Sequence, residues 1–124
     1  MINAGCGNQL AEVVRISPRV RALIDSERSQ PGEPLGPDRQ GFVDVCAQLK
    51  IPCCVLERRA IENYLVDHAI KTIKNSDKFR ALGHFELLKD SNPCWAKDEN
   101  WRIARSMTKA DLDGTDLGKF LESL

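Results

Sequence analysis

Val20-Arg21-Ala22-Leu23-Ile24-Asp25-Ser26-Glu27 and Ile51-Pro52-Cys53-Cys54-Val55-Leu56 decide the fold. Each is a short apolar run bounded by turn or charged residues, the pattern of a buried strand rather than of an amphipathic one. The first ends in a sudden burst of charge, Asp25-Ser26-Glu27-Arg28. In the second, Pro52 belongs near the strand start, where a missing ladder donor is tolerated. Between them Ser29 to Gly41 holds three prolines and three glycines, a long loop. Phe42, Val45, Cys46 and Leu49 then recur at i, i+3, i+4 and i+7 and predict an amphipathic helix, with Pro37 placed to open it. Strand, loop, helix, strand is the order of parallel strands joined by a crossover, so the predicted class is α/β.

Outward from this core, Ala4-Gly5-Cys6-Gly7-Asn8 reads as a tight turn. Leu10, Val13 and Val14 form one face of a short helix stopped at Ser17-Pro18. Beyond the second strand the chain reads as mostly helical. Helices are expected from Glu57 to Ile73, from Phe79 to Leu88, and along the face Trp101, Ala104 and Met107. Ser91-Asn92-Pro93 is a break, Thr108-Lys109-Ala110-Asp111 resembles a capping box, and Leu117, Phe120, Leu121 and Leu124 close a terminal amphipathic helix. The 124 residues suit a single domain, with a strand and helix core over 1–57 and a mostly helical part over 58–124.

A chain that is 42% hydrophobic and 29% charged has the composition of a folded domain. Lys+Arg and Asp+Glu are both 18, which excludes a globally cationic surface and leaves only local basic patches for nucleic acid. No apolar run reaches the roughly 18 residues of a membrane span, and no signal sequence opens the chain, so a soluble cytoplasmic protein is expected. Five cysteines without a Cys-x-x-Cys pair fit buried reduced thiols, Cys53 and Cys54 among them.

Two constellations carry chemistry. Asp25 and Glu27 sit at a strand's carboxyl end, where open parallel sheets bind ligands, and paired carboxylates there suit a hard cation such as Mg2+ or Mn2+. The bland alternative is a solvated, polar strand exit. Glu57-Arg58-Arg59-Ala60-Ile61-Glu62-Asn63-Tyr64-Leu65 follows the second strand and places Glu62 in the first turns of the next helix, where the macrodipole alone favours an acid. Arg58 and Arg59 have two candidate partners, these carboxylates or a phosphodiester backbone. His68 and His84 read as surface residues. Trp95 and Trp101, flanking Lys97 and Arg102, read either as core or as a stacking patch for nucleic acid. Neither Ser26 nor Cys6 has a base partner, so nucleophilic catalysis is unsupported.

The segment Glu57 to Leu65 resembles a stretch typical of the Toprim domain of OLD-family (overcoming-lysogenization-defect) nucleases, in which an Asp-x-Asp strand precedes a run similar to Glu-Arg-Arg-x-Ile-Glu-Asn-Tyr-Leu. Val20 to Glu27 stands where that strand would be, with Glu27 in place of the second Asp. Ala4 to Asn8 is similar to the family's glycine turn, and Asn100 to Arg105 with Asp113 to Gly118 is similar to its C-terminal end. The resemblance implies a Toprim-like (Rossmann-like) parallel sheet core with helices and a helical C-terminal part. It implies metal-dependent cleavage of phosphodiester bonds in DNA, with paired cations at the scissile phosphate. Asp25 and Glu27 would be metal ligands with Glu62 added, the cation Mg2+ or Mn2+, and Lys97, or alternatively Lys109, the catalytic lysine. Two departures stand out. The family's first strand, with its catalytic glutamate, would lie ahead of Met1, and no Gly-x-x-x-x-Gly-Lys-Ser/Thr of an ATPase occurs. The expectation is therefore a core truncated at its first strand, either a fragment or a chain that borrows strand and carboxylate, with an ATPase domain or subunit in trans or a second copy as partner. A non-catalytic Toprim-like module docking on such a partner is the alternative.

Overall fold

The computed structural model describes residues 19–124 together with 11, 12, 15 and 17. The glycine turn at Ala4 to Asn8 and the face Leu10, Val13 and Val14 lie outside the described residues. Strand β1 (Ala22–Ile24) pairs with β2 (Cys53–Val55) in parallel, with Ala22 opposite Cys53, Leu23 opposite Cys54 and Ile24 opposite Val55. Both strands fall inside the predicted runs, in the predicted orientation, and both are shorter. The Pro52 carbonyl accepts from Ala22 N at 2.9 Å just before β2, which is how a donor-less residue still serves the ladder. Leu56 N donates to Ile24 O at 3.0 Å and carries the pairing past the strand end.

Between the strands runs α1 (Pro37–Gln48), which opens on Pro37 as expected, has Asp38 in its first turn, and buries Cys46 completely. It stops where Lys50 takes the left-handed region (φ 58°), and Ile51 N turns back to Cys46 O at 2.8 Å, feeding β2. The described architecture is thus α/β, a small parallel pair with helices, and no helix in it is long and apolar enough to cross a membrane.

Three helical expectations need correction. Residues 57–73 do not form one helix. Glu57 to Ala60 bend, Ile61–Tyr64 make a 3-10 turn, and only α2 (Asp67–Lys74) is α-helical. Leu65 and Val66 are extended, and the Asn63 side chain accepts from Ala60 N at 3.1 Å, a local bond that competes with helix propagation. Phe79 to Leu88 is not helical either, because its polar groups are bonded elsewhere. Ala81 N donates to Asp67, and the Gly83 and Glu86 carbonyls accept from Asn63. Finally, α3 (Asn100–Arg105) buries Ile103 rather than Trp101, so the helix presents a different face from the one its spacing predicted.

The Thr108 to Asp111 box forms a 3-10 turn in which Asp111 accepts from Thr108 N at 2.7 Å. After it, α4 (Asp116–Glu122) is capped by Thr115, whose Oγ1 accepts from Gly118 N at 2.9 Å. Gly118 is obligatory there, since a Cβ would sit 2.2 Å from the Leu112 carbonyl oxygen. Of the expected apolar face of this helix only Leu117 is buried, against Leu56 and Tyr64. The larger cluster joins Ile70 of α2 to Ile103 of α3 with Leu82, Leu88 and Trp95.

Because α2 and α3 meet at Ile103, which is fully buried, shortening it leaves a cavity rather than a rearranged surface. Ile103→Ala is expected to lower unfolding stability by about 3 kcal/mol in urea denaturation, and Leu121→Ala, on an exposed position, by less than about 0.5 kcal/mol.

Candidate functional site

Asp25 follows β1 directly, so its position is set by the parallel pair. Its Oδ1 accepts from Ile61 N at 2.9 Å, satisfying a donor at the start of the 3-10 turn that has no partner within the turn. Burial pushes the Asp25 carboxyl above its ordinary value and the nearby Glu62 charge adds to this, while the Ile61 N–H, Arg39 and Lys97 pull it back. Ser26 is buried and locks the strand exits together. Its Oγ donates to Arg58 O at 2.9 Å and accepts from Arg28 N at 3.3 Å. One residue on, Glu27 N donates to Arg59 O at 2.8 Å, and Glu27 itself adopts φ 56°. That left-handed residue breaks the strand alternation, and the Glu27 carboxylate meets Arg39 of α1 at 2.8 Å.

Glu62, carried by the 3-10 turn, has a side chain only 6% exposed, and Lys97 Nζ stands 3.3 Å from its Oε1. Lys97 comes from a 3-10 turn at Lys97–Glu99, immediately ahead of α3, and is mostly solvated. The fold therefore brings together Asp25, Glu62 and Lys97 from three separated stretches of sequence. Asp25, Glu27, Arg39 and Lys97 line one open cleft of about 830 Å³ at the carboxyl end of β1. Lys109 is elsewhere, paired with Glu122 at 3.7 Å.

Other residues of the 57–65 run are structural. Glu57 N and the Tyr64 hydroxyl both donate to Asp116, at 2.9 and 2.6 Å, and burial together with that acceptor raises the Tyr64 phenol well above its ordinary value. Arg58 stacks 4.6 Å from the Tyr64 ring centroid and donates to Asn63 O, and Arg59 donates to Arg28 O. Among the described residues neither arginine pairs with a carboxylate. Both face the strand exits, and Arg58 lines a neighbouring cleft of about 470 Å³ with Arg28 and His84. His68 is a surface residue, held by Asp111 at 3.0 Å. The described cysteines are free thiols. Cys46 is buried, Cys53 and Cys54 only half-buried, and burial with the Cys46 neighbour pushes the Cys53 thiol up to about 12, which keeps it protonated and inert.

Sequence reading missed Arg39 and Asn63. Arg39 was legible only as a helix residue after Pro37. Asn63 lay inside the quoted run, but nothing in its spacing announces that its amide donates to Gly83 O at 2.8 Å and Glu86 O at 2.9 Å while accepting from Ala60 N.

Among the described residues no group of three or more His, Cys, Asp or Glu is arranged to hold a metal. Asp25 and Glu62 nevertheless form an acidic pair beside a solvated lysine, and one or two carboxylates, with waters, are the usual protein share of a Mg2+ shell. Compared with known protein families, curated proteins and solved structures, the chain matches none.

Asn63→Ala removes hydrogen bonds to three backbone groups, two of them on the 83–86 loop. The expected loss is about 3 kcal/mol or more of unfolding stability, read by chemical denaturation. Faster backbone hydrogen exchange confined to residues 60–64 and 81–87 should accompany it.

Proposed function

We propose that this chain is the Toprim-like part of an OLD-type nuclease, hydrolysing phosphodiester bonds of DNA with Mg2+ or Mn2+, and working beside an ATPase domain or subunit. The observation that carries the reading is the convergence of Asp25, Glu62 and Lys97 at the carboxyl end of a parallel strand. Two stretches singled out by the family resemblance, which are 36 residues or so apart, meet there through the bond from Ile61 N to Asp25.

Asp25 and Glu62 would hold the cation, with Glu27 at the rim of the same cleft. When bound, the cation supplies charge neutralisation at a phosphate and a more acidic water. The chain's own residues do the rest. Asp25 is held by the Ile61 N–H on one oxygen and lines the cleft. Lys97, solvated and already drawn to this acidic pair, supplies a positive charge for an incoming phosphate. Arg39 keeps Glu27 engaged and adds a second cation to the cleft wall.

The electrostatics set the pH dependence. Asp25 has a folded-state value above its unfolded one. It therefore contributes stability that is present below the ordinary carboxylate range and is lost as pH rises through the raised value. A bound cation offsets that loss, so the stabilisation by Mn2+ should grow as pH rises through this window.

The test is thermal unfolding with millimolar MgCl2 or MnCl2, paired with cleavage of supercoiled plasmid. The cation should raise Tm in the native chain and do so far less in Asp25→Asn, which keeps an acceptor for Ile61 N, and in Glu62→Gln. Lys97→Ala should tighten Mn2+ binding by about 30-fold, the effect of removing one unit charge about 4 Å from a divalent ion in water, about 2 kcal/mol, while abolishing cleavage. An unchanged shift in Asp25→Asn would overturn the site.

A further inference from the structure

The two tryptophans, close in sequence, have opposite fates. Trp95 is 3% exposed, packs in the larger core cluster and donates from Nε1 to Asn100 Oδ1 at 2.7 Å. Trp101 is 55% exposed on α3, on the side of the helix away from buried Ile103. The guanidinium carbons of Arg102 and Arg105 each stand 5.6 Å from the Trp101 ring centroid. Both arginines are exposed, and among the described residues neither pairs with a carboxylate. Leaving a large aromatic ring in water is unfavourable, and two mobile guanidinium groups over it, Arg102 also near the Glu99 charge, make a surface that is both aromatic and positively charged.

From this we infer that Trp101, Arg102 and Arg105 form a binding platform for unpaired nucleotides of single-stranded DNA, a base stacking on the indole and its phosphates meeting the arginines. The ligand follows from the chemistry. A duplex hides its base faces and a plain acidic peptide brings charge without a flat ring, whereas an exposed nucleotide offers a flat base and a phosphate together. Lys97, four residues earlier on the helical run into α3, is the residue paired with Glu62, so the platform and the acidic pair share one segment of chain. The inference rests on the reading of the chain as acting on DNA, and names the form of the DNA: a strand already opened, or an end.

Tryptophan emission tests it directly, because only Trp101 is accessible. Titration with an oligothymidylate of about 20 nucleotides is carried out in EDTA, so that no cation or cleavage contributes. Saturable quenching is expected in the native chain. It should vanish in Trp101→Phe, with affinity read by anisotropy of labelled oligonucleotide falling about tenfold. Arg102→Gln/Arg105→Gln should weaken binding and flatten its dependence on log salt by about 1.4, the share of two phosphate contacts on a single strand. Leu121→Ala, at an exposed position on α4, should bind as the native chain does. Absence of quenching in the native chain, quenching that persists in Trp101→Phe, or equal quenching by polyglutamate or by a duplex of the same length would each overturn the platform. The cation result is separate: quenching without a cation shift leaves the platform standing and removes the nuclease reading, whereas a cation shift without quenching removes the platform alone.

Discussion

The Asn63 side-chain amide is the constraint on which the site depends. A segment that turns sharply after β2 and then dives into the core exposes backbone donors and acceptors that neither a helix nor a sheet can satisfy. Burying them unpaired would cost about 1–3 kcal/mol apiece. Asn63 answers three of them with one buried group, accepting from Ala60 and donating to Gly83 and Glu86. The neighbouring bond from Arg59 N to His84 O, at 2.9 Å, fastens the same two loops. With both strands of loop fixed, Ile61 N points at Asp25 and Glu62 is pressed inward next to Lys97. Remove the clamp and the acidic pair has no reason to exist.

The strand exits are fastened by a second device. Ser26, between two acids, bonds the backbone of Arg58 and Arg28 and is buried because those bonds leave it nothing to exchange with water. This allows a parallel pair of only three residues a side to hold a fixed register well beyond its ladder, through Leu56 N to Ile24 O and Glu27 N to Arg59 O. Two acids flanking a buried serine then diverge. Asp25 leans on the turn, and Glu27, forced into the left-handed region, swings to Arg39.

What was legible in the sequence follows the range of the interactions involved. The strands at Ala22–Ile24 and Cys53–Val55, and the helix opened by Pro37, are governed by local apolar runs and by proline chemistry, and they appear where those signals put them. The 57–73 and 79–88 segments carry helix-compatible residues, yet their backbone groups are claimed by tertiary partners at separations of 14 to 23 residues, such as Asp67 to Ala81 and Asn63 to Glu86. Periodicity has no access to such bonds. The candidate acids were visible as residues, but no spacing grouped Glu62 and Lys97 with Asp25; only the family resemblance did. The proximity of the Glu62 charge to Asp25 depends on the turn at Ile61, whose N–H is bonded to Asp25. Likewise the spacing of Trp101, Ala104 and Met107 matched a helical face, and the core took Ile103 instead because it abuts Ile70.

Burial gives Glu62 its particular character. A carboxylate in that position is stabilised by whatever positive charge stands closest, and Lys97 is a flexible, largely solvated group that holds it at 3.3 Å. Arginine would clamp the acid bidentately and close the cleft to cations, whereas a single ammonium on a four-carbon stem leaves by rotating into water. The arginines of the region are placed otherwise: Arg28, Arg58 and Arg59 are anchored on main-chain carbonyls, which fix them without neutralising them. A chain with no net charge thus achieves a local division of labour, with an acidic pair guarded by a movable cation and fixed guanidinium groups on the adjoining walls. That division is the arrangement a site needs if a small divalent ion and a polyanion are to occupy it together, since each brings the charge that the other's binding surface lacks.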